Sequence, residues 1–445
     1  MKRSLKIAGI AALVLVTLAS LLVAVWLSVR KDWIEPLPGV RLEPFLPVLL
    51  EKDIDPEDAF GLLLQAQAAL RTQPTLDCRD AVDRMLAQGA DWSASPDLLE
   101  ALEDNAEALH LAKRAAEKGN GQVPTADLQA TLPYLAWTKS LADLLGTSAA
   151  LKAGQGDEAG ALDDLDSAIH LGQILSRGGT VIHHLVDIAC TERACMTLRR
   201  IALRKSLAPQ TSRSALERLK EGEVRLEPFP EILRFEAVYG LSALKMLKPG
   251  GGAGAGMSSS VPVALVTADT GRNLANCYAH LIHIAESPYK PHAFTAFEAR
   301  LTQPQGWRIC LKKDPVGLIL ANLLMPTAGK AQCAHLRCLA TLRATQAVLA
   351  VRQFQARTGL PPKDLDELVK AGDLPEVPMD PFDGKPLRYA LDPDGSWRIY
   401  SVGMNAVDDG GIGSPVNPTA GDLVFTSREL EELRAKLAKI PPAAN

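Results

Sequence analysis

Aromatic residues are scarce, with Phe, Trp and Tyr together making 5% of 445 residues. That excludes a core organised on large rings, and the accompanying abundance of Ala and Leu favours helix. Neither charge is in excess. With 48 Lys and Arg against 52 Asp and Glu the formal net charge is -4, which provides no global basic face for nucleic acid. Cysteine is sparse and odd in number: Cys78, Cys190, Cys195, Cys277, Cys310, Cys333 and Cys338 make seven at irregular spacing, so no disulfide framework is encoded. Cys190 with Cys195, and Cys333 with Cys338, sit five apart on predicted helices, which holds their α-carbons more than about 8 Å apart, beyond bridging distance. Free thiols suit a reducing compartment. Catalytic and nucleotide signatures are missing too: Gly-x-Ser-x-Gly, His-Glu-x-x-His, Gly-x-Gly-x-x-Gly and Gly-x-x-x-x-Gly-Lys do not occur.

One long apolar run is present. Ile7 to Val29 carries 23 residues without a charge, about 34 Å as a helix, enough to cross a bilayer core of about 30 Å. A cleaved signal has a shorter apolar region ending in small residues, whereas here Leu21 to Leu27 prolongs the run past bulky Trp26. The segment is expected to be a transmembrane anchor, with the lipid bilayer as partner through residues 7–29. The chain thus reads as mainly α. Residues 1–32 form the anchor, 33–329 an α-helical domain, and 330–445 a long helix with a small α+β module and a C-terminal helix. The expected location is the bacterial inner membrane, with the bulk of the chain on the periplasmic side.

Trp33 to Pro47 reads as a stalk. Beyond it, Asp55-Pro56 and Ser95-Pro96 place a capping side chain before a proline at the first helical position. Helices are expected from Leu99 to Lys118, Thr125 to Gly146, Asp157 to Arg177, Thr180 to Lys205 and Pro230 to Leu247. Ala149, Gly156-Asp157, Ala161, Leu165 and Ala168-Ile169 resemble a tetratricopeptide repeat. No second copy follows at the 34-residue period, so an ordinary helical hairpin is the plainer reading. Residues 249–262 are rich in Gly, Ala and Ser and read as a flexible loop. On the helix from Lys330 to Thr358, Ala340, Ala344, Ala347, Val351 and Phe354 form a packing stripe. Leu342 and Leu349 lie on another face, so the helix is expected to be covered on two sides.

The densest local pattern follows that helix. Gly359-Leu-Pro-Pro362 stops it, a short helix runs from Asp364 to Ala371, and Asp380-Pro-Phe-Asp-Gly384 makes a turn. Leu387, Tyr389 and Leu391 alternate with polar or small residues as in a half-buried strand, Asp392 to Ser396 turns the chain, and Trp397 to Val402 returns. A polar loop with Asp408 and Asp409 follows. Thr426 with Glu429 suggests a capping box before a last amphipathic helix. Gly359 with Pro362, Asp380-Pro381-Phe382 with Gly384, Tyr389, and Tyr400-Ser401-Val402-Gly403 with Asn405 resemble the C-terminal half of the type II secretion major pseudopilins. The likeness covers about a fifth of the chain, from Cys333 to Asp422. The family's leader and processing motif do not precede Cys333, which argues against a polymerising subunit.

That family binds calcium in the corresponding loop, and the resemblance implies Ca²⁺ held by Asn405, Asp408, Asp409 and Asp422. Carboxylates and carbonyls are the hard oxygen donors this ion takes. The same residues would also make a plain solvated turn. Two imidazole groupings remain. Cys277, His280 and His283 share an arc of one helix, where packed core residues are the simpler reading than a Zn²⁺ site. His183-His184 near Asp187 could supply a base with an orienting carboxylate, but adjacent side chains on a helix point about 100° apart. The functional expectation is a non-enzymatic envelope scaffold that binds an unidentified protein partner and is associated with a secretion or pilus-like assembly. The alternative is a membrane-bound hydrolase using one of those two imidazole groupings.

Overall fold

The computed structural model describes residues 54–71, 77–87, 94–119, 132–246, 268–302, 328–413 and 420–439, with isolated positions at 20, 92, 121, 123 and 321. Apart from residue 20, the expected anchor, the stalk and the loop 249–262 lie outside the described residues. Among the described residues no helix is long and apolar enough to cross a membrane. They form a mainly helical chain with one small three-stranded antiparallel sheet.

The chain divides into two compact units. The larger takes in Pro47–Glu236, Ile284–Ala293 and Ala328–Asn445. Its helices are α1 (Ala59–Ala69), α2 (Asp77–Ala87), α3 (Pro96–Asp104), α4 (Ala106–Lys118), α5 (Pro133–Gln155), α6 (Glu158–Ser176), α7 (Val181–Arg204) and α8 (Pro209–Arg225). Helices α9 (Phe229–Met246) and α10 (Ala268–Glu286) each have residues assigned to both units, and α11 (Ala293–Thr302) follows. The larger unit resumes with α12 (Ala328–Thr358), α13 (Leu365–Ala371), strands β1 (Arg388–Leu391), β2 (Trp397–Ser401) and β3 (Leu423–Thr426), and α14 (Glu429–Leu437). In the smaller unit Gly240 admits the Tyr278 ring, since a Cβ there would lie 2.6 Å from its hydroxyl.

Local chemistry explains most boundaries. Gly156 takes the left-handed conformation that ends α5, and the Asp157 side chain accepts the N–H of Gly160 to open α6. Ala149, Ala161, Leu165, Ala168 and Ile169 are all buried around this hairpin. The helix expected from Leu99 to Lys118 is broken at Asn105. That buried amide donates to the Ala101 carbonyl at 2.8 Å and accepts from the Arg71 N–H at 3.0 Å. A side chain bridging to another segment, absent from helical periodicity, decides the break. The helix expected from Thr125 is described from Pro133 and continues through Gly154 to Gln155. Gly154 is bare because Trp92 packs there: an added Cβ would stand 2.3 Å from its ring.

Helix α12 is the axis of the larger unit. One face, with Cys338, Leu342 and Leu349, enters the core made by the preceding helices. The other, with Ala344, Ala347, Val351 and Phe354, packs with Leu365, Leu368, Trp397, Ile399 and Phe425 of the small α+β module. The two-sided covering expected from the sequence is therefore observed. The sheet runs β1-β2-β3, with Ile399 opposite Tyr389 on one side and Phe425 on the other. Strand β3 was not legible in the sequence, and it changes the reading of Thr426 and Glu429. Thr426 ends the strand and its hydroxyl accepts the Arg428 N–H at 3.1 Å. Glu429 reaches Arg199 and Arg200 instead of closing a capping box.

Candidate functional site

Helix α7 opens with Thr180, whose N–H donates to His183 Nδ1 at 3.1 Å, so an imidazole takes the reciprocal role that Glu usually plays three residues into a helix. That bond leaves the ring proton on Nε2, which donates to the Tyr134 hydroxyl at 2.8 Å. His184, one residue on, turns to a different wall. Its Nδ1 lies 2.6 Å from Ser176 Oγ at the end of α6, and its Nε2 lies 2.9 Å from His335 Nδ1 on α12. Asp187 Oδ2 stands 4.0 Å from His184 Nδ1, and Thr191 Oγ1 donates to Asp187 Oδ1 at 3.3 Å. Helices α6 and α7 approach closely here because Gly172 has no side chain: a Cβ would stand 2.7 Å from the Asp187 α-carbon.

Burial governs the electrostatics of this cluster. His184 and Asp187 are 0% exposed. Burial pushes the His183 and His335 imidazoles down to about 4. Burial, with His335 adding to it, holds His184 well below its ordinary value. Asp187 is pushed up by burial to about 7, against the pull of the Ser176 and Thr191 hydroxyls. The histidines are thus neutral near pH 7.

A serine, a histidine and an aspartate meet, yet not as a nucleophilic triad. In a triad the serine and the carboxylate take opposite ring nitrogens. Ser176 and Asp187 both approach Nδ1 of His184, and His335 takes Nε2. All four side chains are buried. The arrangement ties α6, α7 and α12 together through a shared proton network. Reading the sequence as adjacent residues missed Ser176, Tyr134 and His335. His335 did carry a signal, since it lies seven residues before Leu342 and fourteen before Leu349, on the same face of α12.

The other expected sites separate differently. Cys277 is buried, His280 stacks on Phe297 with ring centres 5.4 Å apart, and His283 is exposed. The acidic residues do come together. Asp422 accepts the N–H of Asp409 at 3.1 Å and of Gly411 at 2.7 Å, and Asp409 takes the Asn405 amide at 2.9 Å. Asp408 accepts the Gly410 N–H at 3.0 Å and stands 3.7 Å from the Arg388 guanidinium. Each of these carboxylates accepts an N–H of the loop itself. Among the described residues no group of three or more His, Cys, Asp and Glu is placed to hold a metal.

Where a pseudopilin-like turn was expected, Asp380 proves to be a buried hub. Its carboxylate accepts from the Phe382 N–H, the Ser401 hydroxyl, the Val402 N–H and the Arg388 guanidinium, at 2.8 to 3.0 Å. Four donors compensate for burying one charge. Its role is to hold the turn to the end of β2.

One solvent-facing concavity of about 900 Å³ lies between α4, α6 and α8, with Lys152 of α5 at its margin. Six Lys or Arg and five Asp or Glu side chains line it. Beneath its margin Asp164, fully buried, takes both Lys113 and Lys152, the latter at 2.7 Å. Burial pushes the Lys152 ammonium down while Asp164 pulls it up, and the balance lies above its ordinary value. Arg218 bridges Asp163 at 2.7 Å and Asp166 at 3.6 Å. This groove was not legible in the sequence, because its residues come from four helices. No protein-family model, no curated protein and no solved structure matches the chain.

Proposed function

We propose that this chain is a non-enzymatic, membrane-anchored scaffold of the bacterial envelope, held in the inner membrane by residues 7–29 with its bulk on the periplasmic side. Its helical unit binds a protein partner, and the pseudopilin-like module sets it beside a secretion or pilus-like assembly. The observation that carries the reading is a contrast in access. The side chains that converge chemically, Ser176, His184, His335 and Asp187, are sealed inside, whereas the solvent-facing concavity presents ion-paired side chains without a nucleophile and base in contact. Enzymatic pockets join apolar walls to a few convergent polar groups. The α5–α6 hairpin, with its buried small residues and Gly-Asp turn, supports a tetratricopeptide-like reading of the same surface.

The test is cross-linking in intact cells through photoreactive residues placed on α4 and α8 of the full chain, followed by recovery from detergent-solubilised membranes. A discrete protein adduct is expected. Absence of any adduct across both helices, together with hydrolytic turnover lost in His184→Ala, would overturn the proposal in favour of a hydrolase. An export-dependent reporter fused after Asn445 is expected to be active; activity of a cytoplasmic reporter alone would overturn the placement.

A further inference from the structure

We propose that the groove between α4, α6 and α8 is a binding site for an extended polypeptide segment of about six residues carrying both signs of charge, seated with a main-chain N–H on Gln173 Oε1. This deepens the scaffold reading and rests on it.

Three observations select that ligand. The first is length. Along α6 the lining runs from Asp163 to Arg177, and along α8 from Ser214 to Arg225, which at 1.5 Å per residue gives a trough roughly 17 to 21 Å long. An extended chain advances about 3.3 Å per residue and fills that length with five or six residues. The second is charge. Six basic and five acidic side chains line the groove, and Arg218 already bridges both Asp163 and Asp166. A polyanion would meet Asp163 and Asp166 on α6, Glu217 and Glu221 on α8 and Glu117 on α4, and an apolar ligand would have to desolvate those ions. A segment carrying both signs can pair with each in place of water.

The third is an acceptor without a donor. Gln173 lines the groove and is 6% exposed. Its Nε2 donates to the Gly222 carbonyl at 2.7 Å, which fixes the orientation of the amide. Oε1 is buried and has no hydrogen-bond partner among the described residues. A buried carbonyl oxygen in that state costs free energy that an N–H donor recovers. Carboxylates and phosphates have no such donor, whereas a peptide offers one per residue.

The experiment uses the full chain in detergent and end-blocked, fluorescent hexapeptides: one of three Glu and three Lys, one all-Glu, one all-Lys, and the mixed peptide with its main-chain nitrogens methylated in turn. Binding is followed by fluorescence anisotropy. The mixed peptide should bind, and the single-sign peptides more weakly. Gln173→Leu should weaken the mixed peptide roughly fivefold, the effect of one hydrogen bond. Methylating one particular nitrogen should cost the same factor in the native chain and nothing further in Gln173→Leu. Ser214→Trp, which fills the trough without touching Gln173, serves as a second variant should Gln173→Leu lower the melting temperature; it should abolish binding. No binding of the mixed peptide at about 1 mM, tighter binding of the all-Glu peptide, or equal affinity in the native chain and both variants would each overturn the proposal. Such a result alongside a protein adduct formed elsewhere on the chain would remove the groove and leave the scaffold.

Discussion

Arg200 Nε donates to Glu429 Oε1 at 3.2 Å, joining α7 to α14 across 229 residues of chain. The same carboxylate accepts from Arg199 Nε, also at 3.2 Å, and the Arg200 Nη1 atom reaches Asp83 of α2 at 2.5 Å. Three helices thus share a half-buried ion network under the end of the sheet, where Arg199 also lies 4.8 Å over the Phe425 ring. Removing one member leaves opposite charges partly buried without a partner. Glu429→Gln is therefore expected to destabilise the chain by about 2 kcal/mol. Thermal unfolding of Glu429→Gln, Arg200→Met and the double variant checks it: the double change should cost less than the sum of the two. Additive losses would mean that the contact contributes nothing specific.

The buried His and Asp cluster predicts an opposed pair of pH effects. Asp187 is held at about 7 against an ordinary 3.8, so the folded chain keeps a proton that the unfolded chain releases. Its contribution falls as pH rises from about 4 to 7. His183 and His335, held at about 4 against 6.5, and His184, held well below its ordinary value, act the other way. The unfolded chain takes up protons below 6.5, so their contribution is lost as pH falls from 6.5 towards 4. Three histidines outweigh one carboxyl, and stability should rise from pH 4 to 6.5 and then decline slightly. Asp187→Asn should remove the decline and gain on the native chain by up to about 4 kcal/mol between pH 4 and 7. Parallel melting profiles for the two proteins would refute this account of the cluster.

Helix α12 belongs to two cores at once. A fragment beginning at Lys330 would expose Cys338, Leu342 and Leu349, each nearly or fully buried in the whole chain. Losing those contacts is expected to cost on the order of 5 kcal/mol. Its melting temperature should lie well below that of the same segment in the intact chain, followed through Trp397 by Trp replacement elsewhere. Equal values would mean that the module is self-sufficient.

The acidic loop is closed by Asp422, whose carboxylate, raised in pKa chiefly by burial, holds the N–H groups of Asp409 and Gly411. Asp422→Ala should lower the melting temperature by the equivalent of about 1 to 3 kcal/mol, in calcium and in chelator alike, because it leaves two N–H donors unpaired. Melting scans of metal-stripped protein with each addition provide the check. A midpoint that calcium raises, and that Asp408→Ala or Asp409→Ala makes insensitive, would instead establish an ion in the loop.

Periodicity and turn chemistry in the sequence determined the helical class, the Gly156-Asp157 hairpin, the two-faced helix α12 and the turn between β1 and β2. Each depends on residues within a few positions of one another, where backbone sterics and side-chain spacing act without help. The tertiary structure alone decided what those elements do together. Asn105 interrupts a helix because Arg71 arrives beside it, Trp92 explains a bare Gly154, and a third strand turns an apparent helix cap into the anchor of an ion network. The imidazole cluster illustrates the same division. Its two adjacent histidines were visible, while Ser176, Tyr134 and His335, which decide what each ring nitrogen meets, come from three other helices. The groove is the extreme case, since Gln173 stands over it as one amide among many until folding commits its nitrogen to Gly222 and leaves its oxygen buried. Spacing encodes which side of a helix a residue occupies; only packing fixes what lies across from it, and charge, access and proton position all follow from that.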